Sequence, residues 1–333
     1  MKYIVLPDDN THRLSFYLAM EEYVARHVDE QDCFFMWQVE PSVIFGRNQL
    51  IENEVNLDYC RRHHIQTYRR KSGGGCVYAD MSNVMFSYIT TDEAVGFTFN
   101  KYINMVVLVL YKMGVPAQAT GRNDVMIDGR KVSGNAFYRI SPRQGAGGKG
   151  RSVVHGTMLY DTNMQHMVGA ITPSDEKLLS KGVASVRQHI ALLKDYTAMS
   201  LAEFKRFVRQ HLCEGEIRLT EEDVRGIERI EEEYLSDAFI YGNNPKYTLV
   251  RKGRIEGVGE LELRLEMKNG EIRSLTLLGD YFVTGDVDAV ILQPLRGVKL
   301  EREALRKALP DNLEQAVLHL RKEALIALML NEK

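Results

Sequence analysis

Residues 69–78 of this chain read RRKSGGGCVY, and this stretch decides how the sequence around it is interpreted. It lies between two apolar runs of strand length, residues 65–68 and 84–90, so a loop between β-strands is predicted. Three consecutive glycines suit a backbone that approaches a ligand closely, rather than one that packs in a core. Three basic residues precede them. The stretch therefore predicts an anion-binding loop, with a glycine-rich turn between solvated basic residues as the alternative.

A second stretch, residues 121–136, reads GRNDVMIDGRKVSGNA. Its Asp-Gly pair at positions 128–129 favours a tight two-residue turn, so two strands joined in a hairpin are predicted. Side chains alternate along a strand, which predicts that Lys131, Ser133 and Asn135 share one face of the returning strand. Such a polar face is either an exposed sheet edge or part of a ligand site.

The composition is typical of a soluble globular protein, with 44% hydrophobic and 26% charged residues among 333. Its formal charge of −2 gives no general attraction to nucleic acid or to anionic membranes. Four cysteines without a CxxC pair argue against a zinc site or a disulfide framework and suit a reducing compartment. A signal pattern and apolar runs of ~18 residues are missing, so a cytoplasmic protein without nucleic-acid or membrane partners is expected.

Hydrophobic periodicity predicts helices at about residues 14–27, 54–64, 99–113 and 311–330. Residues 141–150, SPRQGAGGKG, are rich in glycine and basic residues and have no periodicity, so they predict a mobile surface loop.

Taken together, the motifs resemble those of the lipoate–protein ligase family. The segments that match it in order and spacing are RRKSGGGCVY (69–78), GRNDVMIDGRKVSGNAFYR (121–139), HGTML (155–159) and VASVR (183–187). Residues 14–22, LSFYLAMEE, resemble the opening helix of that family. The resemblance covers roughly residues 1–250 by motif and the remainder by layout.

The resemblance implies an α/β (α+β) fold, in which a mixed-sheet catalytic domain of the biotin/lipoate ligase type is followed by a small α+β accessory domain. The clearest break in the chain is YGNNP at residues 241–245. The catalytic domain is therefore expected to span residues 1–243 and the accessory domain residues 247–333.

The resemblance also implies an ATP-dependent ligase that activates lipoate as lipoyl-AMP and transfers the lipoyl group to a lysine. ATP and Mg²⁺ would be its cofactors and lipoate its substrate. Its partners would be lipoyl carrier domains, such as those of 2-oxoacid dehydrogenase E2 subunits or the glycine cleavage H protein. Activation is needed because a free carboxylate is a poor acylating agent, whereas its mixed anhydride with AMP has a stable leaving group.

By the same resemblance, Lys131 would be the catalytic residue, contacting both the carboxylate and the α-phosphate. Asn123 and Asp124 look like Mg²⁺–phosphate ligands, although Asp124 could equally be a turn residue ahead of the hairpin. Further residues would bind ATP or lipoate: Arg70, Ser72, Gly74, Gly75, Cys76, Val77, Tyr78, Ser133, Ala136, His155 and Thr157.

Two other functions stay open on the sequence. A related transferase moves octanoyl or lipoyl groups between carriers through a cysteine thioester, and Cys76 is the thiol near the expected pocket. A non-catalytic binder or regulator built on the ligase fold is the other. The chain departs from the family pattern at Ala79, at Val154 and at residues 189–193, which leaves the acyl substrate open.

Overall fold

The computed structural model describes residues 1–49, 51–91, 94–120, 123–141, 150–171, 183, 186–241, 249–268 and 270–332. Two predicted features fall largely on other residues, the surface loop at 141–150 and the break at 241–245, and a third, the VASVR segment at 183–187, falls there in part, at residues 184 and 185. These three stay predictions.

The strands supply two sheets in the first part of the chain and one in its last part. They are β1 (Lys2–Val5), β2 (Cys33–Trp37), β3 (Ser42–Phe45), β4 (Gln66–Arg69), β5 (Val77–Ala79), β6 (Val84–Thr91), β7 (Ala117–Ala119), β8 (Asp124–Ile127), β9 (Arg130–Ile140), β10 (Arg151–Met158), β11 (Glu216–Arg218), β12 (Leu249–Ile255), β13 (Gly259–Lys268) and β14 (Glu271–Gly279).

The α-helices are α1 (Leu14–His27), α2 (Ile51–Glu54), α3 (Leu57–Arg62), α4 (Val95–Lys112), α5 (Met164–Ile171), α6 (Leu201–Leu212), α7 (Glu221–Leu235), α8 (Asp237–Tyr241), α9 (Arg302–Ala308) and α10 (Lys322–Leu330). Over the residues that the structure describes, none of these helices combines the length and the apolar character that crossing a membrane requires.

The largest sheet has eight strands in the order β11-β1-β2-β6-β10-β9-β8-β7. β1 pairs in parallel with β2 and β11, whereas the pairs from β2 through β6, β10, β9 and β8 to β7 are antiparallel. The predicted mixed-sheet α/β fold is therefore confirmed. The predicted hairpin is confirmed too, because it joins β8 to β9 with positive φ angles of 50° at Asp128 and 72° at Gly129.

Helix α1 lies between this sheet and α7, and the boundaries predicted for it are confirmed. Its residues 14–25 are all buried, because one side of the helix contacts β6 and β10 while the other contacts α7. This buried stretch includes two carboxylates, Glu21 and Glu22. A buried charge is unstable unless it is paired or hydrogen-bonded, so both residues require partners inside the fold.

A smaller sheet, in the order β4-β3-β5, carries the glycine-rich loop. Residues 70–76 connect β4 with β5, so the predicted loop between strands is present. The strand that follows it is the short β5, and the predicted run at 84–90 belongs to β6.

The last part of the chain forms an antiparallel meander, β12-β13-β14, covered by α9 and α10. Its buried side chains make a hydrophobic cluster of their own, which includes Leu263 and Leu265 of β13 and Leu325 of α10. Alternate residues of β13 are buried from Gly259 onward, as expected for a strand with one face on a core.

Two predicted helices are wrong in extent. The helix predicted at 54–64 is divided into α2 and α3, because the Asn56 side chain accepts a hydrogen bond from the Tyr59 N–H and starts a new helix. The helix predicted at 311–330 is reduced to α10. Residues 313–315 form a short 3₁₀ turn, and Val317 then makes an isolated antiparallel bridge with Val283, with backbone hydrogen bonds between residues 316–318 and residues 282–284.

The helix predicted at 99–113 is present as α4, which begins four residues earlier, at Val95.

The glycine-rich loop packs directly against residues 281–282 of the C-terminal part. The Gly74 N–H donates to the Tyr281 carbonyl at 3.0 Å. A Cβ atom on Gly73 would lie 2.1 Å from that carbonyl oxygen, and one on Gly74 would lie 3.0 Å from the Phe282 ring. The expectation that these glycines do not serve packing is therefore wrong. Residues without side chains are needed here because Tyr281 and Phe282 pack directly against Gly73 and Gly74.

Replacing Gly73 by alanine is expected to lower the free energy of unfolding by about 1–3 kcal/mol, the usual cost of overpacking. The new Cβ would force the loop away from the Tyr281 carbonyl, so hydrogen exchange of the Gly74 amide should become faster. Gly75→Ala is the matched control, since its Cβ would meet its nearest neighbour at 3.9 Å. Unchanged exchange of the Gly74 amide in Gly73→Ala would contradict the packing role.

Candidate active site

A narrow pocket lies where the eight-stranded sheet meets α1 and the glycine-rich loop. The residues that line it are Leu18, Trp37, Ile44, Arg70, Gly74, Gly75, Cys76, Val77, Met85, Asn123, Lys131, Gly134, Asn135, Ala136, His155, Gly156, Thr157 and Phe282. Its volume of about 90 Å³ is well below the roughly 300–1,000 Å³ of typical small-molecule pockets. In this arrangement of the chain the pocket is therefore narrower than a small-molecule site usually is.

Most of the site residues predicted from the sequence meet in this lining. Those that lie outside it are Ser72, Tyr78, Ser133 and Asp124. Tyr78 is a fully buried core residue beneath the loop, with 1% of its surface exposed. The other three are bonded to residues of the pocket wall and support it from behind.

The prediction that Lys131, Ser133 and Asn135 share one strand face is wrong. In the β8–β9 pair, Met126 lies opposite Lys131 and the adjacent Val125 lies opposite Ser133. Val132 is therefore an extra residue of β9 without a partner in β8. This β-bulge interrupts the alternation of side chains. The returning strand therefore presents Lys131 and Gly134, rather than Lys131 and Ser133, to the pocket.

The bulge places Lys131 beside Asp124. The Lys131 Nζ lies 2.8 Å from Asp124 Oδ1, and a Cβ atom on Gly134 would lie 2.7 Å from the same Nζ. On the other side, the Ala191 N–H donates to the Lys131 carbonyl at 2.8 Å. The backbone of Lys131 is thus fixed by Ala191 and its ammonium group is paired with a carboxylate, while 40% of the side chain remains exposed.

Asn135 is fixed by a reciprocal pair of hydrogen bonds. Its Nδ2 donates to the Asn123 carbonyl and Asn123 Nδ2 donates to the Asn135 carbonyl, both at 2.9 Å. The Ser133 hydroxyl donates to Asn135 Oδ1 at 3.3 Å. A Cβ atom on Gly156 would lie 1.9 Å from that oxygen, so the glycine of the HGT sequence makes room for this amide.

The basic residues ahead of the glycines have partners within the protein, contrary to the expectation that they face a ligand. Arg69 donates to the carbonyls of Arg47, Gln49 and Ile240 at 2.7–2.9 Å. The Lys71 Nζ pairs with carboxylates of α1 and α7 at 2.7–2.8 Å. Both side chains therefore anchor the loop to neighbouring segments.

Arg70 lies inside the loop. Its Nε donates to the Ser72 hydroxyl at 2.9 Å, and its terminal nitrogens donate to the carbonyls of Ile44 at 3.1 Å and of Gly73 and Gly75 at 2.7 Å. Burial lowers the pKa of Arg70 to about 10, which still leaves the guanidinium charged at neutral pH. Arg70 lines the pocket, but the acceptors of these four hydrogen bonds all belong to the loop and to the neighbouring strand β3.

His155 connects the loop to α1. Its Nε2 lies 2.7 Å from the Ser72 hydroxyl and its Nδ1 lies 2.9 Å from the Glu21 carboxylate. Sequence reasoning placed His155 and Ser72 in the site but missed Glu21. The available signal was a carboxylate in a stretch that is otherwise apolar, on a helix with a buried face.

Several further pocket residues were not predicted, among them Trp37 and Phe282. Trp37 is a core residue, since it stacks on Tyr17 with ring centroids 4.9 Å apart and donates to Ser87 at 2.9 Å. It lines the pocket as well. Phe282 had no sequence signal, because it reaches the pocket from the C-terminal part of the chain.

The predicted Mg²⁺ ligands offer one carboxylate, from Asp124, and one amide oxygen, from Asn123. Within the described residues, no group of three or more histidine, cysteine, aspartate or glutamate side chains could hold a metal ion. These two side chains are too few to coordinate a metal ion by themselves. They do fit Mg²⁺ in the way that nucleotide enzymes bind it, with one or two carboxylates and with phosphate oxygens as the other ligands.

Cys76 is poorly suited to be a nucleophile. Its side chain packs against a cluster of buried apolar residues, and burial raises the pKa of the thiol to about 12, although Arg70 acts in the opposite direction. The reactive species of cysteine is the thiolate, which is scarce at neutral pH under these conditions.

The chain combines a mixed α/β sheet, a pocket beside its glycine-rich loop and a small C-terminal meander. Its sequence matches the models of two known domains. Residues 14–213 match the lipoyl protein ligase A/B catalytic domain, and residues 244–329 match the bacterial lipoate protein ligase C-terminus. The chain therefore belongs to the lipoate–protein ligase family and is an enzyme of that class.

Individual proteins agree with this assignment. The lipoate–protein ligase LplJ of Bacillus subtilis is 36% identical over 88% of this chain and 89% of its own length. The P. falciparum LipL1 structure, solved with lipoate, has a TM-score of 0.75 and 18% identity and covers 99% of both chains. A bipartite lipoate protein ligase from Thermoplasma acidophilum, described with its E2 lipoyl domain, has a TM-score of 0.63 at 25% identity and covers 75% of this chain and 100% of its own.

Cys76→Ala is expected to retain most of the ligase activity, because the thiol serves as a small apolar side chain. The same thiol should resist alkylation at mildly alkaline pH in the folded protein and react once the chain is unfolded. The measurements are the ligation rate and mass spectrometry after alkylation. An acyl group trapped as a thioester on Cys76 would favour the transferase function instead.

Proposed function

We propose that this ligase uses the pocket for both halves of its reaction. It activates lipoate with ATP as lipoyl-AMP and then transfers the lipoyl group to a lysine of a lipoyl carrier domain. The observation that carries the proposal is the position of Lys131. This ammonium group is held by Asp124 and by the β9 bulge at the edge of a pocket that otherwise has largely apolar walls.

The first half-reaction brings together two anions, the lipoate carboxylate and the α-phosphate of ATP. Their approach is unfavourable without a cation between them. An ammonium group with three donors can contact both, and these contacts strengthen as charge develops in the transition state. We assign this role to Lys131. The carboxylate oxygen attacks the α-phosphorus, the bond to the β,γ-diphosphate breaks, and pyrophosphate leaves.

Apolar side chains in the pocket suit the acyl chain of the substrate. Leu18, Trp37, Ile44 and Met85 belong to the lining and come from α1, β2, β3 and β6. An acyl-adenylate hydrolyses in water, so a narrow pocket with these walls would protect it. Phe282 adds an aromatic wall from the C-terminal part.

Asn123 and Asp124 are the residues that would hold Mg²⁺ together with the nucleotide. When bound, the ion would neutralise phosphate charge beside Lys131. The Asp124 carboxylate already lies 2.8 Å from Lys131 Nζ, so one carboxylate would position both cations.

The acceptor of the second half-reaction would be a lysine on a lipoyl carrier domain of a 2-oxoacid dehydrogenase E2 subunit or on the glycine cleavage H protein. The Thermoplasma acidophilum ligase, described with an E2 lipoyl domain, supports the first of these. The unprotonated lysine amine attacks the acyl carbonyl, the bond to AMP breaks, and the amine loses a proton as the amide forms.

We also propose that the chain divides into a catalytic domain, residues 1–243, and an accessory domain, residues 247–333. The second has its own hydrophobic cluster and contributes Tyr281 and Phe282 to the loop and the pocket. Its position against the glycine-rich loop would assist adenylate formation more than acyl transfer.

Incubation with lipoate and labelled ATP, without an acceptor, tests the proposed activity directly. Lipoyl-AMP and pyrophosphate should appear, and adding a lipoyl domain should then increase its intact mass by one lipoyl group. A carrier-to-carrier transferase would form neither product from ATP. A non-catalytic binder would leave ATP unchanged as well and would not modify the carrier.

Lys131→Ala is expected to reduce lipoyl-AMP formation by ~10²–10³, the usual loss when one pre-positioned donor is removed. Lys131→Arg should restore the rate only in part, because a planar guanidinium cannot replace a compact ammonium group between two anions. The measurement is pyrophosphate release at saturating ATP and lipoate, together with a melting curve.

Arg130→Ala is the matched control for Lys131. It removes a cation from the neighbouring position of β9, one that donates to the Tyr196 hydroxyl at 2.6 Å and does not line the pocket. Its rate should stay close to that of the unaltered protein. Normal pyrophosphate release by a well-folded Lys131→Ala protein would exclude the assigned role.

A protein truncated after residue 243 is expected to form lipoyl-AMP poorly while still transferring the lipoyl group from supplied lipoyl-AMP. It would lack Phe282 at the pocket and Tyr281 at the loop. The two half-reactions are measured separately, by pyrophosphate release and by the mass of the carrier. A loss confined to the transfer step would show that the accessory domain serves the acceptor instead.

A further inference from the structure

A continuous chain of buried hydrogen bonds joins helix α1 to the glycine-rich loop. It runs from Glu21 to His155 at 2.9 Å, from His155 to Ser72 at 2.7 Å, and from Ser72 to Arg70 at 2.9 Å. These four residues are 0%, 5%, 1% and 5% exposed, respectively. We call this set the Glu21–Arg70 relay.

The carboxylate at the start of the relay is costly to bury. Over the part of the chain that the structure describes, its hydrogen-bond partners are Nδ1 of His155 at 2.9 Å and the hydroxyls of Ser87 at 2.5 Å and Tyr138 at 3.4 Å. Apolar side chains that fill the same volume are often as stabilising as a buried charged group, or more so. Stability alone therefore does not account for Glu21.

The donors and acceptors of the relay have a defined direction. An ionised carboxylate only accepts hydrogen bonds, so Nδ1 of His155 must carry a proton. In the neutral imidazole Nε2 is then an acceptor, and the Ser72 hydroxyl donates a hydrogen bond to it. The Ser72 oxygen accepts from Arg70 Nε in turn. Each donor in the series therefore faces an acceptor, and Glu21 sets the direction of the whole series.

The far end of the relay controls the loop backbone. Arg70 holds the carbonyls of Gly73 and Gly75 at 2.7 Å. In a trans peptide the carbonyl and the following N–H point in opposite directions, so the N–H groups of Gly74 and Cys76 face away from the guanidinium. The first donates to Tyr281, and the second belongs to a residue that lines the pocket.

We infer that Glu21 is a positioning residue for the ligase reaction: acting through His155, Ser72 and Arg70, it fixes the direction of the loop N–H groups, of which the Cys76 N–H is the one offered to the acyl-adenylate. The inference rests on the proposed function for the identity of that ligand. Glu21 itself does not line the pocket and does not touch the reacting atoms.

Glu21→Gln tests the relay with the smallest change of shape. A glutamine amide can donate as well as accept, so it no longer forces the proton onto Nδ1 of His155. Glu231→Gln is the matched control, because Glu231 is also buried, at 3% exposure, and accepts from the Ser15 hydroxyl of α1 at 2.5 Å. Melting curves of both variants report the general cost of altering a buried carboxylate.

For Glu21→Gln, kcat for pyrophosphate release is expected to fall by ~10², the scale of small misplacements in an active site. KM should change little, because the loss concerns an interaction of the transition state. The ¹⁵N NMR signals of the His155 ring should report a changed tautomer. The Glu231→Gln control should keep its kcat and its His155 signals even if it melts earlier.

A double variant tests whether Glu21 acts through the histidine. If it does, Glu21→Gln should cost no further activity once His155 is replaced by alanine, and it should relieve the unpaired carboxylate that His155→Ala leaves behind. Independent, additive losses would show that Glu21 acts by another route and would overturn the inference. A folded Glu21→Gln protein with normal kcat and an unchanged tautomer would overturn it as well.

The NMR measurements separate this inference from the proposed function. They are made on the free protein, so the tautomer of His155 and the amide exchange of Cys76 can be compared between variants without any turnover. Failure of the unaltered protein to form lipoyl-AMP would contradict the proposed function only. An unperturbed His155 ring and Cys76 amide in Glu21→Gln would contradict the relay only.

Discussion

The pocket depends on one buried cation. Arg70 is 5% exposed, and the hydrogen bonds of its guanidinium within the described chain go to one hydroxyl and three carbonyl oxygens. Carbonyl oxygens carry only partial charges, so several must converge on the guanidinium to offset its loss of water. Two of the three belong to Gly73 and Gly75. The glycine-rich loop is therefore shaped around an internal cation, and its remaining N–H groups are directed outward as a consequence.

The same loop carries a second constraint, the contact with the C-terminal part of the chain. Gly74 donates to Tyr281, and Phe282 lines the pocket. A net backbone hydrogen bond is worth about 0.5–1.5 kcal/mol. Gly74 thus belongs both to the pocket lining and to the contact with the C-terminal part, so under the proposed function a ligand at this glycine would be coupled to the arrangement of the two parts.

Sequence reasoning succeeded where the signal is local. The Asp128–Gly129 turn, helix α1 and the loop between β4 and β5 follow from turn chemistry, from apolar periodicity and from the flanking runs. It failed where a distant segment decides the conformation. Residues 316–318 have helical periodicity but pair with residues 282–284, and the bulge at Val132 breaks an alternation that the sequence alone suggests.

The sequence by itself determined the family, the mixed-sheet fold and most of the residues that surround the pocket. Motifs and periodicities can be recognised from residues that are close together in the sequence. The tertiary structure decided the partners of those residues. Glu21, Ser72, His155 and Phe282 are far apart in the chain, and only folding brings them together at one loop. Hydrogen bonds and buried charges depend on distances between such segments, which a sequence motif does not contain.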